Sequence, residues 1–328
     1  MEALNVNFEK KELSVFRKIN LVFRFSYTIP FLFASVCGIV YAAPYGVPVH
    51  VSILIPAVVL IMAVLVNFTN DYFDHKSGID YHVSQQRLSV ARSEIHSNEI
   101  LKKIYWEGNQ FDTGLVTERQ GRMIIAALCA LTVLLAVPVL LYGGWNALVL
   151  GLVGMFFTFF YTAPPINFAA HGMGEMVVGI SFFLMCFGSF FVATGTFDAP
   201  IVLFSLLIGL VVGLMRLGDS LSAHDAHIEF GERCISVRLG LDRTIPIIKA
   251  IIVMCYLLVF ALMYYNPIFG LMFLTLIFTT KIWAAMNVRS ENWEIKVIPY
   301  FFGFSFLTEV LFIVSLCITA VTGNPAFW

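Results

Sequence analysis

Long apolar runs separated by short polar breaks dominate the pattern of the chain. A helix that crosses the hydrocarbon of a bilayer needs about 20 mostly apolar residues. Runs of this kind lie near residues 22–43, 51–70, 122–142, 145–162, 174–195, 199–218, 244–264, 267–285 and 298–321. The fourth and fifth runs are separated by Ala163-Pro164-Pro165, where proline removes a backbone donor and favours a helix end. The pattern predicts an all-α integral membrane protein of about nine transmembrane helices, with residues 1–328 forming one domain.

The composition agrees with this prediction. Of the 328 residues, 59% are hydrophobic and 12% are charged, whereas an average soluble domain is about 25% charged. A net charge of −1 gives no reason to expect a nucleic-acid partner. The six cysteines form no CxxC pair, so neither a disulfide framework nor a zinc site is indicated. No feature predicts a protein partner.

The lysines and arginines indicate an orientation. With an odd number of spans, all segments rich in these residues fall on one face, and the opposite loops have none. By the positive-inside rule that face is cytoplasmic in a cell membrane, which places the N-terminus there. The two long polar loops, about 71–121 and 219–243, lie on the same face. Within the first loop, residues 93–106 have the pattern of a short amphipathic surface helix. The Gly209-xxx-Gly213 spacing predicts close helix packing.

A cluster of acids and amides at the end of the second run carries the strongest chemical signal. Positions i, i+4 and i+7 share a helix face, so Asn67, Asp71 and Asp74 line up, with Asn70 beside them. Acidic groups near the hydrocarbon are costly and tend to mark a function. Such oxygen ligands suit Mg²⁺ held together with substrate phosphates. The alternative is a solvated helix end, which one aspartate would fit better than two carboxylates and two amides.

The same segment carries a family resemblance. Asn70-Asp71-Tyr72-Phe73-Asp74, followed by Gly78-Ile79-Asp80, resembles the first aspartate-rich motif of the UbiA superfamily of intramembrane prenyltransferases. It is most similar to the menaquinone-pathway branch, the 1,4-dihydroxy-2-naphthoate polyprenyltransferases. Further segments resemble that family in the same order along the chain: Arg24 to Pro30, Tyr161 to Pro165, Gly172 to Glu175, and Gly231 to Gly240.

The resemblance implies a UbiA-like bundle with a lateral cavity and a cytoplasmic active site that holds Mg²⁺. The substrates would be a polyprenyl diphosphate and a hydrophobic acceptor, both reached from membrane lipid. The resemblance implies catalytic roles for Asp71, Asp74 and Tyr161 and metal-binding roles for Asn67, Asp71 and Asp74. Residues around the second motif, described below, add Asp225 and His227 as catalytic candidates and Asp219 and Asp225 as metal ligands. The substrate-binding residues would be Arg24, Asn67, Asn70, Lys76, Asp80, Arg87 and Asp219.

Several of these roles have a simpler alternative. Lys76 and Arg87 suit phosphate oxygens, yet they also fit ordinary cytoplasmic positive charge. The ring of Tyr161 suits stabilisation of a cation, although aromatic rings in this chain also suit lipid contact and core packing. Glu309, inside the last run, is a functional candidate by its depth. Pairing with a neighbouring helix, or protonation, explains it equally well.

The second aspartate motif departs from the family pattern. Ala223 and His227 stand where the resemblance expects aspartates. Asp225 and Glu229, spaced i and i+4, form a shifted acidic pair that could replace them, with Asp219 nearby. His227 could accept the proton that the acceptor loses, since imidazole is a fair base near neutral pH. The alternative is a polar interhelical loop without a catalytic part.

Three functions remain open at this point. The first is prenyl transfer to an acceptor that is a naphthoate, another aromatic ring or a non-aromatic lipid precursor. The second is a non-catalytic relative that binds prenyl diphosphate or quinone, which the altered second motif would explain. The third is a membrane transporter, although the chain shows no internal repeat of the kind that many transporters have.

Overall fold

The computed structural model of the protein describes residues 19–20, 22–78, 109–112, 114–229, 231 and 233–322. Within this part the regular structure is entirely helical, because a helix satisfies its own backbone polar groups where no water is present. The long helices are α1 (Phe25–Ala42), α2 (Val49–Ser77), α3 (Glu118–Phe160), α4 (Gly174–Thr194), α5 (Ala199–Ser222), α6 (Leu241–Tyr265), α7 (Leu276–Val288) and α8 (Ile298–Thr322). Eight helical segments in these ranges are long and apolar enough to cross a membrane.

Helix α3 crosses twice. Its 43 residues would span about 65 Å if straight, roughly twice the hydrocarbon thickness. Gly144 interrupts it with φ 55° and ψ −135°, a conformation that favours glycine. Leu128 and Phe159 lie on either side of this break, and both pack into one cluster with Phe68 of α2. A straight helix would hold them about 46 Å apart, so α3 reverses at Gly144. The prediction of about nine crossings, with separate spans at 122–142 and 145–162, is confirmed for the described ranges.

The polar loops predicted from hydropathy begin too early. Helix α2 continues to Ser77, past the end of the apolar run at residue 70, and Gly78 terminates it with φ 82°. Asp71 and Asp74 therefore lie on a helix, as the spacing of the acidic motif predicts, and the loop begins after Ser77 instead of at residue 71. Hydropathy falls before the helix ends because the last turns of α2 face polar groups of the protein instead of lipid.

The second predicted loop, 219–243, is likewise mostly helical. Helix α5 extends to Ser222, and two short helices follow at His224–Glu229 and Ile235–Leu239. The eighth apolar run also differs from a single regular helix, because Pro267–Thr275 forms a 3-10 helix that leads into α7. Asn266 caps this 3-10 helix by accepting a hydrogen bond from the backbone of Ile268.

Helix α5 occupies the centre of the bundle and packs closely on α4. A Cβ atom on Gly209 would lie 2.6 Å from the carbonyl oxygen of Gly179, and one on Gly213 would lie 3.5 Å from that of Glu175. Only small residues permit this approach of two backbones. The packing predicted from the Gly209-xxx-Gly213 spacing is therefore confirmed.

The bundle has two polar ends. At one end the Tyr41 hydroxyl donates to the carboxylate of Asp198 over 2.9 Å. At the other end Lys76 pairs with Glu118 over 3.4 Å. Further ion pairs at this second end join Arg24 to Asp71, Arg216 to Asp219 and Arg289 to Asp242. The basic residues thus gather at one end, as the sequence predicts, and the cytoplasmic assignment of that end stays a prediction. The predicted surface helix at 93–106 lies outside the described residues.

Glu309 lies between the two polar ends, in the apolar core. Its side chain is 1% exposed, and neither carboxylate oxygen has a hydrogen-bond partner within the described ranges. The thiol of Cys37 on α1 contacts the backbone carbonyl of Glu309 at 3.6 Å and not its carboxylate. The pairing with a neighbouring helix that the sequence leaves open is therefore not observed in this part of the chain. All six cysteines are free thiols.

Candidate active site

Asp71 is the most deeply buried acid at the polar end of α2. Its side chain is 1% exposed, and its carboxylate lies 3.0 Å from Nε of Arg24. Arg24 stands at the start of α1 with φ 46°, a left-handed conformation that is uncommon for arginine. The side chain of Asn109 donates to the backbone carbonyl of Asp71 over 2.7 Å. These contacts fix the end of α2 against α1 and the segment around residue 109.

Asp74 has a different set of contacts. The amide of Asn70, one turn earlier, donates to its carboxylate over 2.6 Å, and both residues are partly exposed. Asn67 lies a further turn back, and its buried Nδ2 has no acceptor in the described part of the chain. Helix α2 is continuous through Asn67, Asp71 and Asp74, as the sequence predicts for residues that share one face. Among their contacts, Asp71 pairs with Arg24 and Asp74 accepts from Asn70.

A second group of polar side chains lies where α3 ends and α5 approaches its end. Tyr161 follows directly after α3, and its hydroxyl oxygen accepts a hydrogen bond from Nε of Arg216 over 2.9 Å. The same guanidinium donates from Nη1 to the carboxylate of Asp219 over 2.6 Å. Tyr161 was predicted as a site residue from the resemblance, and the structure connects it to Asp219 through Arg216.

The electrostatics of Tyr161 connect the two groups. Burial raises the pKa of its hydroxyl, and the positive charge of Arg216 acts in the opposite direction. The negative charges of Glu175 and Asp74 raise the pKa further. The carboxylate of Asp74 thus acts electrostatically on Tyr161, an effect that weakens with distance. The end of α2 and the Tyr161–Arg216 pair lie at the same polar end of the bundle.

Glu175 links the helices that surround this site. It is buried at the start of α4, and its Oε1 accepts hydrogen bonds from the Ser220 hydroxyl over 3.0 Å and the Ile235 backbone over 3.2 Å. Glu175 thereby ties α4 to the end of α5 and to the short helix that follows. The sequence treats Arg216 only as one more basic residue of the cytoplasmic face. Its position inside an apolar run was the signal that could have marked it.

The described residues of the altered second motif form no metal cluster. Asp225 and Glu229 are exposed, whereas Ala223 and His227 are buried. Among the residues that the structure describes, no group of three or more His, Cys, Asp or Glu side chains is placed to hold a metal ion. The metal-binding role of Asp225 and the basic role of His227 stay predictions.

The remaining predicted site residues lie at the edge or outside the described ranges. Lys76 is half-exposed, pairs with Glu118 and lies over the Tyr72 ring at 5.4 Å. Asp80 and Arg87 fall outside the described residues, so their substrate-binding roles stay predictions.

Mg²⁺ is the ion that the sequence predicts, and the donor chemistry fits it. Asp74 and Asn70 present carboxylate and amide oxygens one helical turn apart. Magnesium is usually bound by one or two carboxylates, with water and substrate phosphates completing its shell. The absence of a three-residue cluster from the described ranges is compatible with an ion that binds together with its substrate.

These features define a class of protein: a helical membrane protein with a polar site between helix ends at one membrane surface. A family model described as the UbiA prenyltransferase family matches residues 111–307, more than half of the chain. The chain belongs to the UbiA prenyltransferase family, as the motifs predict.

The individual relatives are distant. The 1,4-dihydroxy-2-naphthoate octaprenyltransferase of Bacillus subtilis (strain 168) is 23% identical over 199 residues, which are 60% of this chain and 57% of that protein. The match thus spans less than two thirds of the relative's length.

Solved structures show the same fold. A UbiA homolog from Archaeoglobus fulgidus bound to GPP and Mg²⁺ superposes with a TM-score of 0.57 at 14% identity, covering 94% of this chain and 99% of that chain. The apo UbiA homolog from Aeropyrum pernix K1 gives 0.60 at 15% identity, covering 88% of this chain and 98% of that chain. The predicted helical bundle of this superfamily is confirmed.

Proposed function

We propose that the protein is an intramembrane, Mg²⁺-dependent prenyltransferase. It transfers a polyprenyl group from an isoprenoid diphosphate to a lipid-pathway acceptor that carries a naphthoate-like or other aromatic ring, as in the biosynthesis of quinone-type electron carriers. The observation that carries the proposal is the Asn70–Asp74 pair at the end of α2, at the same polar end of the bundle as the Tyr161–Arg216 pair. The family match, the naphthoate octaprenyltransferase relative and the GPP- and Mg²⁺-bound homolog support it.

The residues of the chain divide the work by charge. Asp74 and Asn70 would hold Mg²⁺, and the bound ion would neutralise the diphosphate and make it a better leaving group. The ring of Tyr161 faces the positive charge that develops on the allylic carbon, since aromatic faces attract cations. The apolar helices around the site exclude water, which would otherwise compete with the acceptor. His227 is the base that accepts the acceptor's proton.

The site lies on the cytoplasmic side of the cell membrane in this proposal. The basic residues gather at the same end of the bundle as Asp74 and Tyr161, and the positive-inside rule places such an end in the cytoplasm. A polyprenyl diphosphate has its charged group at the membrane surface and its chain in the lipid, which suits a site between helix ends.

The test is product formation in membranes that contain the expressed protein. Geranylgeranyl diphosphate, Mg²⁺ and a panel of aromatic acceptors are supplied, and the prenylated product is identified by mass spectrometry. The variant Asp74→Ala should lose about a hundredfold or more in rate, because a charge that stabilises the transition state is removed. Asp242→Ala is the matched control, since Asp242 is an exposed acid that pairs with Arg289 at the same end of the bundle.

Two results would contradict the proposal. Equal amounts of product from wild type and Asp74→Ala would show that the carboxylate of Asp74 at the end of α2 takes no part in the reaction. If the wild-type protein binds geranylgeranyl diphosphate but converts no acceptor, the protein is a non-catalytic binding relative and not an enzyme. Product with one acceptor, lost on chelation of Mg²⁺, would confirm prenyl transfer and identify the ring.

A further inference from the structure

Arg216 occupies a position that packing alone does not explain. It lies within α5, six residues before the helix ends at Ser222, in a run that is otherwise apolar. A guanidinium at such depth is costly and tends to serve a function. The side chain is 24% exposed, so it is neither fully enclosed by protein nor free at the surface.

The contacts of Arg216 leave part of its hydrogen-bonding capacity available. Nε donates to the Tyr161 hydroxyl and Nη1 donates to Asp219. A guanidinium carries five N–H groups in a planar fork, so these contacts use two of them within the described residues. The negative charge of Glu175 also faces Arg216, but its Oε1 is already engaged by α5 and the short helix that follows.

The α5 side of the site is short of metal-binding groups. Ala223 and His227 are buried at the positions where the sequence resemblance expects aspartates. Asp219 is the one acidic residue within α5, and it is paired with Arg216. On the α5 side the guanidinium of Arg216 is shared between Tyr161 and Asp219, whereas the α2 side presents the carboxylate of Asp74.

We propose that Arg216 is a diphosphate-binding residue of this protein. Its guanidinium binds an oxygen of the donor's diphosphate from the α5 side, while Asp74 and Asn70 hold Mg²⁺ on the α2 side. Asp219 occupies Nη1 of Arg216 and competes with the diphosphate for the guanidinium. Arginine suits this task because its fork matches phosphate oxygens and it stays charged at all relevant pH values. The inference rests on the prenyltransferase function proposed above.

The test measures binding of inorganic diphosphate to the purified full chain by titration calorimetry, with Mg²⁺ and with a chelator. Arg216→Met should weaken binding at least about tenfold under both conditions, as expected for the loss of a hydrogen bond to a charged group. Arg289→Met is the matched control, because Arg289 makes the same 2.6 Å contact with an aspartate, Asp242, in an exposed place. Its affinity should stay within about twofold of wild type.

A second variant keeps the test decisive if Arg216→Met does not fold. Asp219→Asn removes the competitor of the diphosphate, so metal-free affinity should rise by about threefold or more. Misfolding cannot produce a gain. Unchanged or weaker metal-free binding in Asp219→Asn would overturn the inference, as would wild-type affinity in Arg216→Met. If wild type itself binds no diphosphate with or without Mg²⁺, the proposed function fails together with this inference. If wild type binds diphosphate and Arg216→Met binds it with the same affinity, only the inference about Arg216 is wrong and the proposed function stands.

Discussion

Two carboxyl groups of this protein are equally buried and differently supported. Asp71, at the polar end of the bundle, is 1% exposed and lies 3.0 Å from Arg24. Glu309, in the core, is also 1% exposed, yet its carboxylate oxygens have no partner among the residues that the structure describes. An isolated buried charge costs far more than a paired one, and a group without a partner is accommodated as its neutral form. Burial alone therefore does not tell whether an acidic side chain has a charged partner.

The difference teaches where the bundle maintains charge. At the polar end, carboxylates come with cations, as Arg24 with Asp71 and Arg216 with Asp219. A site that binds a charged metal–diphosphate complex needs acids that stay ionised. In the core a side chain only has to fill space. A neutral carboxyl group fills it in much the same way as an amide group.

The largest effect is expected from Arg24→Met. The substitution leaves Asp71 buried without this cation, which should lower the free energy of unfolding by about 3–5 kcal/mol. Equilibrium unfolding in mixed micelles measures the change. The double variant Arg24→Met with Asp71→Asn should recover a large part of the loss, because the uncompensated charge is then absent. A double variant that is no more stable than Arg24→Met would show that the pair is not what stabilises this end.

Asp71→Asn alone should have an intermediate effect. Arg24 is 21% exposed, whereas Asp71 is 1% exposed, and a long basic side chain can move its charge toward water. We expect a loss of about 1–3 kcal/mol in the same unfolding assay, smaller than for Arg24→Met. A loss equal to or above that of Arg24→Met would mean that Arg24 has no route to solvent.

The smallest effect is expected from Glu309→Gln. An amide replaces a neutral carboxyl of nearly the same shape, so the free energy of unfolding should change by less than about 1 kcal/mol. Prenyl transfer should also stay near the wild-type rate. A loss as large as that of Arg24→Met would show that Glu309 is ionised and paired, and the contrast with Asp71 would no longer hold.

Much of the fold follows from the sequence because lipid imposes simple demands. A span must be long and apolar, and irregular backbone is confined to its ends. The nine runs, the break at Ala163-Pro164-Pro165 and the close approach at Gly209 are therefore readable from local patterns. The end of α2 was missed for the same reason, since the polar last turns before Ser77 look like a loop to any measure of hydropathy.

The site was only partly accessible to sequence reasoning. Asn70, Asp74 and Tyr161 follow from motifs, but their partners come from distant positions. Arg216 and Tyr161 are 55 residues apart in the chain, and no local pattern predicts that their side chains meet. The contacts of Asp71 differ from those of Asp74 because Asp71 pairs with Arg24, which lies at the start of α1.

The reversal of α3 at Gly144 has a consequence for parity. Each crossing exchanges the membrane surface at which the next segment emerges, so an even number of crossings returns the chain to its starting side. The double passage of Glu118–Phe160 brings Tyr161 back to the surface where α2 ends. With one passage fewer, Tyr161 would emerge about 30 Å away, across the hydrocarbon from Asp74. The conformation of Gly144 thus determines whether the two halves of the site lie at the same membrane surface. It also sets the direction in which every later helix crosses the membrane.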